Sequence, residues 1–341
     1  MPAPIPDEPA MLNPALNPSP RSQPKAATPA IFIDGEAGTT GLQIRDMLAA
    51  ETGLTLLSLP HEARKDAAAK RAIMTKADIA ILCLPDEAAR AAVAMADELG
   101  EAGPRIIDAS TAHRVAPGWV YGFPELAPGH ADRIAGARRV ANPGCYPTGA
   151  IALLRPFIDA GFMTPDHPVS VNAVSGYSGG GKAMIEAYEG EGGEGQEAAP
   201  AFELYGLSLA HKHVPELMAG TGLTRRPIFV PSVGRFRQGM LVSVPLHLAA
   251  LSGVKSSAAL RAALAAHYAG SRFVRVADAT ETAALKGKLE PEVLNGSNLM
   301  ELFVFSDAAD EQVVLVARLD NLGKGASGAA VQNLKLMLGM G

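Results

Sequence analysis

Cysteine is almost absent. Only Cys83 and Cys145 occur in 341 residues. Two thiols cannot build the disulfide framework of a small secreted domain, so a reducing, cytoplasmic setting is expected. There is no long basic run and the net charge is −5, which argues against a nucleic-acid partner or an anionic membrane surface. No apolar stretch approaches the ~20 residues that span a bilayer, so no membrane association is expected. The first residues show no basic segment followed by an apolar one, and so do not read as a secretory signal. Residues 1–29 instead hold nine of the 26 prolines, and a disordered tail is expected there. No repeat with a period of roughly 20–50 residues is visible. C-x-x-C and H-E-x-x-H, two spacings that commonly hold zinc, are missing.

What is present divides into two textures. With 48% apolar and 19% charged residues, the chain has material for two domains, each with its own core. From Ile31, Phe32 and Ile33, short β-prone runs alternate with helical stripes such as Leu42, Ile44, Met47 and Leu48. Strands are predicted at 54–59, 78–85 and 105–110, and helices at 62–76 and 86–99. Cys83 falls in the third strand, as a buried core residue. This alternation predicts a parallel sheet covered on both faces. Beyond about residue 145 a helix is predicted over 147–160. Strand candidates follow at VSVNAVSG, PIFVPSV, MLVSVPLHL, FVRV, LFVFS and VVLVARL. Few long helices separate them, which predicts a mixed or antiparallel sheet of α+β type. Residues 189–200, rich in Gly and Glu, read as a mobile loop. The fold class is therefore α/β over 30–144, followed by an α+β domain with a mixed sheet over 145–320. A C-terminal helix at about 325–341 is expected to pack back on the first domain.

Gly35, Gly38 and Gly41 are spaced G-x-x-G-x-x-G between the first strand and the first helix. Such glycines let backbone N–H groups approach a phosphate, and a helix N-terminus favours its charge. Thr39 and Thr40 add hydroxyl donors. The motif reads as a dinucleotide site; the plainer reading is a turn that needs glycine only for helix–strand packing. An NAD site usually places an acid near the end of the second strand to grip the ribose 2′-OH. Here the strand ends in Ser58 and PHEARKD follows, with no acid at that point and with Arg64 and Lys65 close by. The pattern suits NADP, unless the two basic residues merely face solvent.

Cys145 stands in ANPGCYPTG, a turn rather than an apolar run. It lies two residues ahead of Pro147, near the N-terminus of the predicted 147–160 helix, where a thiolate is favoured. That suits a nucleophile better than a structural thiol. A partner base is offered by YGLSLAHKHVPEL. Val214 before Pro215 favours extended backbone, in which His211 and His213 point to one side. Glu216 is placed to orient one of them. The two histidines and Cys145 would also make three zinc ligands, but no companion spacing supports a metal. His113, in STAHR, is a further candidate to line the site. A nicotinamide site and an activated cysteine together specify a reaction class. An acyl phosphate acylates the cysteine, NADPH reduces the thioester, and a histidine moves the protons.

NPGCYPT, HKHVPEL, WVYGFPEL and NLGKGASGAAVQN closely resemble the short, type 2 form of N-acetyl-γ-glutamyl-phosphate reductase, from about Ile31 to the C-terminus. The resemblance implies a Rossmann domain followed by a substrate and dimerisation domain, in a homodimer or homotetramer. It implies NADPH-dependent reduction of the small molecule N-acetyl-γ-glutamyl phosphate, in arginine biosynthesis. Carried over by motif, Cys145 is the nucleophile and His211 or His213 the acid/base, with His213 favoured. Tyr205 and Glu216 fall where the family has its Tyr and Glu. Arg114, in DASTAHR, stands where related aspartate-semialdehyde dehydrogenases place a phosphate-holding arginine; a surface ion pair is the plain alternative. SGYSGGGK resembles the family's glycine loop near nicotinamide and substrate. Ser175 and Asn142 are assigned with Arg114 and Tyr205 to the substrate. Ser110, Gly179 and Asn321 join Gly35, Gly38, Thr39, Thr40, Gly41, Ser58 and Arg64 on the NADP side. Lys182 either attracts the substrate carboxylate or faces water, and Arg225, Arg235 and Arg237 are candidates to bind that carboxylate. No metal is expected.

Three other readings compete. One is a reductase for aspartyl or aminoadipyl phosphate on the same scaffold. Another is a cysteine hydrolase or acyltransferase without redox chemistry, which leaves the glycine loop unexplained. The third is a non-catalytic dinucleotide sensor.

Overall fold

A computed structural model describes residues 28–190 and 199–340. The expected tail lies outside the described residues except for 28 and 29, as does most of the expected Gly/Glu-rich loop. The chain divides into two compact units, one of residues 28–144 and 326–340, the other of residues 145–190 and 199–325.

The first unit begins β1 (Ala30–Asp34), α1 (Thr39–Ala49), β2 (Thr55–Leu57), α2 (Ala67–Lys76), β3 (Ile79–Leu82) and α3 (Asp86–Glu98). It continues with β4 (Arg105–Asp108), β5 (Val120–Tyr121), α4 (His130–Gly136) and β6 (Arg139–Ala141). The strands form one sheet in the order β2-β1-β3-β4-β6-β5, with every pairing parallel. The two-residue period of a strand decides what covers each face. Ile31, Ile33, Ile79, Ile81 and Ile107 share a cluster with Ile44 and Leu48 of α1 and Ile134 of α4. Phe32, Ala80, Leu82 and Ile106 share another with Ile73 and Met74 of α2 and Ala92, Val93 and Ala96 of α3. Cover on both faces explains why β1 and β3 read as unbroken apolar runs. Each fully buried isoleucine contributes roughly 1.5–3 kcal/mol.

Local chemistry moves some boundaries. The helix predicted over 62–76 is a 3-10 turn at His61–Ala63 followed by α2, whose start is set by Asp66. The Asp66 carboxylate accepts the N–H groups of Ala68 and Ala69. Leu42, expected in the apolar stripe, is 51% exposed, because α1 buries the Gly41, Ile44 and Leu48 face instead. Cys83 lies one residue past β3 rather than inside it.

The second unit runs α5 (Cys145–Asp159), β7 (Ser170–Gly176), α6 (Gly181–Glu189), β8 (Phe202–Leu204), α7 (Val214–Thr221), β9 (Ile228–Gly234) and β10 (Met240–His247). After these come α8 (Ser257–His267), β11 (Val274–Val276), α9 (Ala279–Ala284), β12 (Met300–Ser306) and β13 (Gln312–Leu319). Their sheet has the order β11-β12-β13-β10-β7-β9-β8. It is mixed: β11–β12 and β7–β9 are parallel and the other pairings antiparallel. α5 lies on β10 and β13, with α7 and α8 beside it. Gly149 permits this, since a Cβ there would stand 2.8 Å from Val242 Cγ2. Gly220 does the same for α7, whose added Cβ would stand 2.2 Å from Ile151 Cδ1 of α5. The first approach seats α5 on the sheet, and the second seats the last turn of α7 on the early part of α5.

After β13 a π-helical turn, Gly323–Ser327, leads into α10 (Gly328–Leu338). Ala330, Leu334 and Met337 of α10 join the isoleucine cluster of the first unit. Arg105, at the start of β4, donates to the carbonyls of Ala135, Ala137 and Met337. A guanidinium there complements the negative ends of α4 and α10.

A Cβ on Gly41 would lie 2.3 Å from the Gly35 carbonyl oxygen, so loop and helix cannot part without loss of packing. Gly41→Ala is expected to lower the unfolding free energy by about 1–3 kcal/mol. Chemical denaturation checks this; an unchanged midpoint would show that the loop is slack.

Candidate active site

Cys145 is the first residue of α5, rather than two residues ahead of the helix. Pro147 sits in the first turn, where a missing N–H costs nothing. Tyr146, Pro147, Thr148 and Gly149 are buried, while Cys145 is half-open. The thiol is thus held at the positive end of a fixed helix dipole, a setting that favours thiolate. Gly325 passes close over it: a Cβ on Gly325 would stand 2.9 Å from Cys145 Cβ. That crossing is anchored by Asp320, which is fully buried. Its carboxylate accepts from Gln238 Nε2, Gly296 N and Leu322 N, and its carbonyl accepts from Gly325 N. Cys83 behaves in the opposite way. Burial, and the nearby charges of Asp108 and Asp34, push its thiol up to about 12, so it stays protonated at neutral pH.

His211 and His213 do not lie in an extended segment. His213 takes helical angles, φ −81° and ψ −10°, at the cap of α7. Pro215 fits the first helical turn, and this preference outweighs the extended bias it places on Val214. The turn still brings the two rings together, with centroids 4.8 Å apart. The Tyr146 ring meets both edge-on, at 6.3 Å from His211 and 5.9 Å from His213. His211 Nδ1 accepts the backbone N–H of His213 at 3.2 Å. An accepting nitrogen carries no proton, so the neutral ring has its proton on Nε2. Burial and the Lys212 charge hold the His211 pKa below the usual histidine value. Neither nitrogen of His211 is therefore a ready base. His213 is 6% exposed. Glu216, 2% exposed, occupies the first turn of α7, where the helix dipole favours a carboxylate.

Tyr146, which no motif argument singles out, is the hub of this cluster. Its hydroxyl donates to the Ser232 carbonyl at 3.0 Å, and a carbonyl can only accept. Its oxygen therefore accepts from the Tyr205 hydroxyl, also at 3.0 Å. The Ser175 hydroxyl donates to the Gly176 carbonyl at 3.0 Å. Burial pushes Tyr205 up to about 12 and raises Tyr146 further, so both phenols stay neutral at working pH. Gly179 lies against Ser175, where a Cβ would come 3.0 Å from Ser175 Oγ. Asn321, 1% exposed, clamps this loop: its Nδ2 donates to Ser178 Oγ and its Oδ1 accepts from Gly239 N. These two bonds use one N–H and one lone pair of the amide, and leave the others for a ligand beside the glycine turn. Lys182 is solvated, 80% exposed and 3.6 Å from Glu186. Among the carboxylate candidates, Arg225 and Arg235 are exposed and Arg237 pairs with Glu189.

The remaining expected residues belong to the first unit. Asp108 is fully buried at the end of β4. It accepts from the N–H and hydroxyl of Ser110 and lies 2.5 Å from His113 Nδ1. His113 in turn stacks on Trp119 at 4.2 Å. Arg114 is 9% exposed rather than a surface residue, and donates to the carbonyls of Ala109 and Asn142. Asn142 donates to the Ala326 carbonyl and accepts from Asn333.

The glycine loop fits a dinucleotide. Gly35 has φ +93°, and a Cβ on it would stand 2.2 Å from the Cys83 carbonyl oxygen. Gly38 caps α1 with no side-chain hydrogen bond, so no side chain competes with a phosphate for the first-turn N–H groups. Near Ser58 the structure corrects the expectation that an acid is missing. Glu36, from the loop itself, accepts from Ser58 Oγ at 2.8 Å and from Arg64 Nη2 at 2.9 Å. The acid comes from the glycine turn, where strand-end reasoning does not look.

Fold and site together define a two-domain semialdehyde dehydrogenase. Residues 48–134 match the family model for the semialdehyde dehydrogenase NAD binding domain, and residues 145–321 that for its dimerisation domain. The chain belongs to the N-acetyl-γ-glutamyl-phosphate reductase family. It is 57% identical over 311 residues to the protein of that name from Brucella anthropi, covering 91% of this chain and 99% of the relative. It is 53% identical over 312 residues to N-acetyl-γ-glutamyl-phosphate reductase 2 of Pseudomonas putida, covering 92% and 97%. The fold is shared with aspartate semialdehyde dehydrogenase II of Vibrio cholerae, at TM-score 0.70 and 17% identity over 91% of this chain and 98% of that one. It is shared also with the Candida albicans aspartate semialdehyde dehydrogenase solved with NADP, at TM-score 0.59 and 13% identity over 91% and 98%. No helix among the described residues is long and apolar enough to cross a membrane.

The lowered His211 pKa has a consequence for stability. Burial of the neutral ring contributes fully above the ordinary histidine value of 6.5, and that contribution is lost as pH falls below it. The thermal midpoint is expected to drop on acidification through this range, and less so in His211→Gln. Parallel curves for the two proteins would refute the assignment.

Proposed function

We propose that the protein catalyses the NADPH-dependent reduction of N-acetyl-γ-glutamyl phosphate to N-acetyl-L-glutamate 5-semialdehyde, with release of phosphate, in arginine biosynthesis. The observation that carries this reading is Cys145 at the head of α5 with His213 at the head of α7, linked through the Tyr146 ring.

His213 takes the Cys145 thiol proton, and the thiolate attacks the acyl carbon. The new C–S bond forms as the C–O bond to phosphate breaks, and His213 passes its proton to the departing phosphate oxygen. NADPH, when bound, supplies the hydride that reduces the thioester carbon. The hemithioacetal on Cys145 then collapses, its C–S bond breaks, and the aldehyde leaves with the thiolate regenerated. One proton per turnover enters from solvent through His213. Glu216, in the first turn of α7, is the residue placed to orient the His213 ring, and Tyr146 fixes the Tyr205 hydroxyl. Because Tyr205 donates to Tyr146, it offers the substrate a lone pair.

Residues 30–144 with the returning helix at about 325–341 hold NADP(H) through Gly35, Gly38, Thr39, Thr40, Gly41, Ser58, Arg64 and Ser110. Residues 145–320 carry the catalytic groups and self-associate, as a homodimer or homotetramer. Arg114, Asn142, Tyr205 and Ser175 serve the substrate, and Gly179 and Asn321 serve the cofactor. The protein works in the cytoplasm.

Cys145→Ala is expected to lower kcat by more than about a thousandfold while NADPH binding, read by fluorescence, is retained. His213→Asn is expected to lose roughly 10²–10⁴ in rate, and His211→Asn much less. Turnover is read as nicotinamide absorbance with N-acetyl-glutamate semialdehyde, NADP⁺ and phosphate. Near-normal turnover in Cys145→Ala, or faster turnover of aspartate semialdehyde, would overturn the reading. Ser58→Asp is expected to shift preference toward NAD, and an unchanged NADP/NAD ratio would contradict the role given to Ser58.

A further inference from the structure

Glu36 follows the first glycine of the loop and is 6% exposed. Its carboxylate is occupied on both oxygens. Oε1 accepts from Arg64 Nη2 at 2.9 Å, and Oε2 accepts from Ser58 Oγ at 2.8 Å and from Arg45 Nη1 at 3.3 Å. Ser58 is the residue directly after β2. In dinucleotide-binding folds that is where an acid grips the ribose 2′-OH of NAD, or where an arginine receives the 2′-phosphate of NADP. This chain brings both kinds of group to the same point, the acid from the loop and the guanidiniums from α1 and from the turn before α2.

We propose that Glu36 reads the ribose 2′ position and sets how strongly the enzyme prefers NADP over NAD. The inference rests on the assignment of this unit as the NADP site. Two guanidiniums and one carboxylate leave the cluster with a single net positive charge. A 2′-phosphate must take over donors that Glu36 holds, and it meets a like charge in doing so. A 2′-hydroxyl finds in Glu36 a charged acceptor. Glu36 therefore restrains binding of the phosphorylated cofactor and supports binding of the other. The loop keeps it in place, because a Cβ on Gly41 would lie only 2.9 Å from Glu36 Cα and leaves the backbone no slack. A carboxylate that only braced the loop would serve both cofactors equally, and this difference makes the roles separable.

The test is calorimetric binding of NADP⁺, NAD⁺, 2′,5′-ADP and 5′-ADP to wild type, Glu36→Gln and Glu36→Ala. The amide keeps the shape and one accepting oxygen, but removes the charge and turns the other oxygen into a donor. Glu36→Gln is expected to raise the NADP⁺/NAD⁺ affinity ratio roughly tenfold and to tighten 2′,5′-ADP relative to 5′-ADP. Glu36→Ala is expected to move the ratio in the same direction, and if it fails to fold, the isosteric variant decides alone. An equal change for both dinucleotides, or a ratio that stays constant or falls, would overturn the proposal while leaving the NADP site intact. Wild-type protein that binds neither dinucleotide would overturn the parent assignment and this one with it.

Discussion

Everything at the candidate active site depends on how tightly α5 is held. From Tyr146 to Leu154 the helix is buried without interruption, and its Gly149 lets it rest against Val242. A helix so fixed presents its N-terminal N–H groups, and the thiol among them, in one place. Gly220 then lets α7 touch Ile151, which carries His213 and Glu216 to a set position relative to that thiol. Three glycines, counting Gly325 over Cys145, thus replace the slack that would let nucleophile and base drift apart. Small losses of geometry at such a site cost large factors in rate.

The first unit solves a different problem with charge. Its glycine loop removes side chains where a phosphate must approach, and Glu36 then puts a carboxylate back among Arg45, Arg64 and Ser58. The result is a cluster whose guanidiniums are ordered by a counter-charge. Such ordering reduces the side-chain entropy lost on binding, at the expense of competition with the ligand. In the second unit polar groups are matched neutrally instead. Tyr205, Tyr146 and the Ser232 carbonyl form a chain of hydrogen bonds in one direction, and burial keeps both phenols protonated.

Much of this was legible in the sequence because steric need leaves a signature. Gly35 and Gly41 are glycines since no side chain fits, and their spacing after β1 announced the loop. Cys145 stood out because a thiol among Asn, Pro and Gly is not a core residue. Other features depend on partners distant in the chain. Tyr146 becomes a hub only when β9 brings Ser232 and when Tyr205 folds over it. Glu36 carries no such signature, because the acid of a nucleotide fold stands at the end of β2, while here the loop supplies it. Pro215 carried two opposite signals, extended bias for Val214 and a good first helical turn, and packing chose the second. β5 and β6, of two and three residues, are too short for a period to be visible.

The central claim is that Cys145 forms the covalent intermediate. Rapid mixing of the wild-type enzyme with N-acetyl-γ-glutamyl phosphate in the absence of NADPH, followed by acid quench and peptide mass spectrometry, addresses it directly. If Cys145 is the nucleophile, phosphate is released in a burst stoichiometric with active sites, and an N-acetylglutamyl thioester appears on the peptide that contains Cys145. A burst with no acyl group on that peptide, or an acyl group on Cys83 instead, would contradict it.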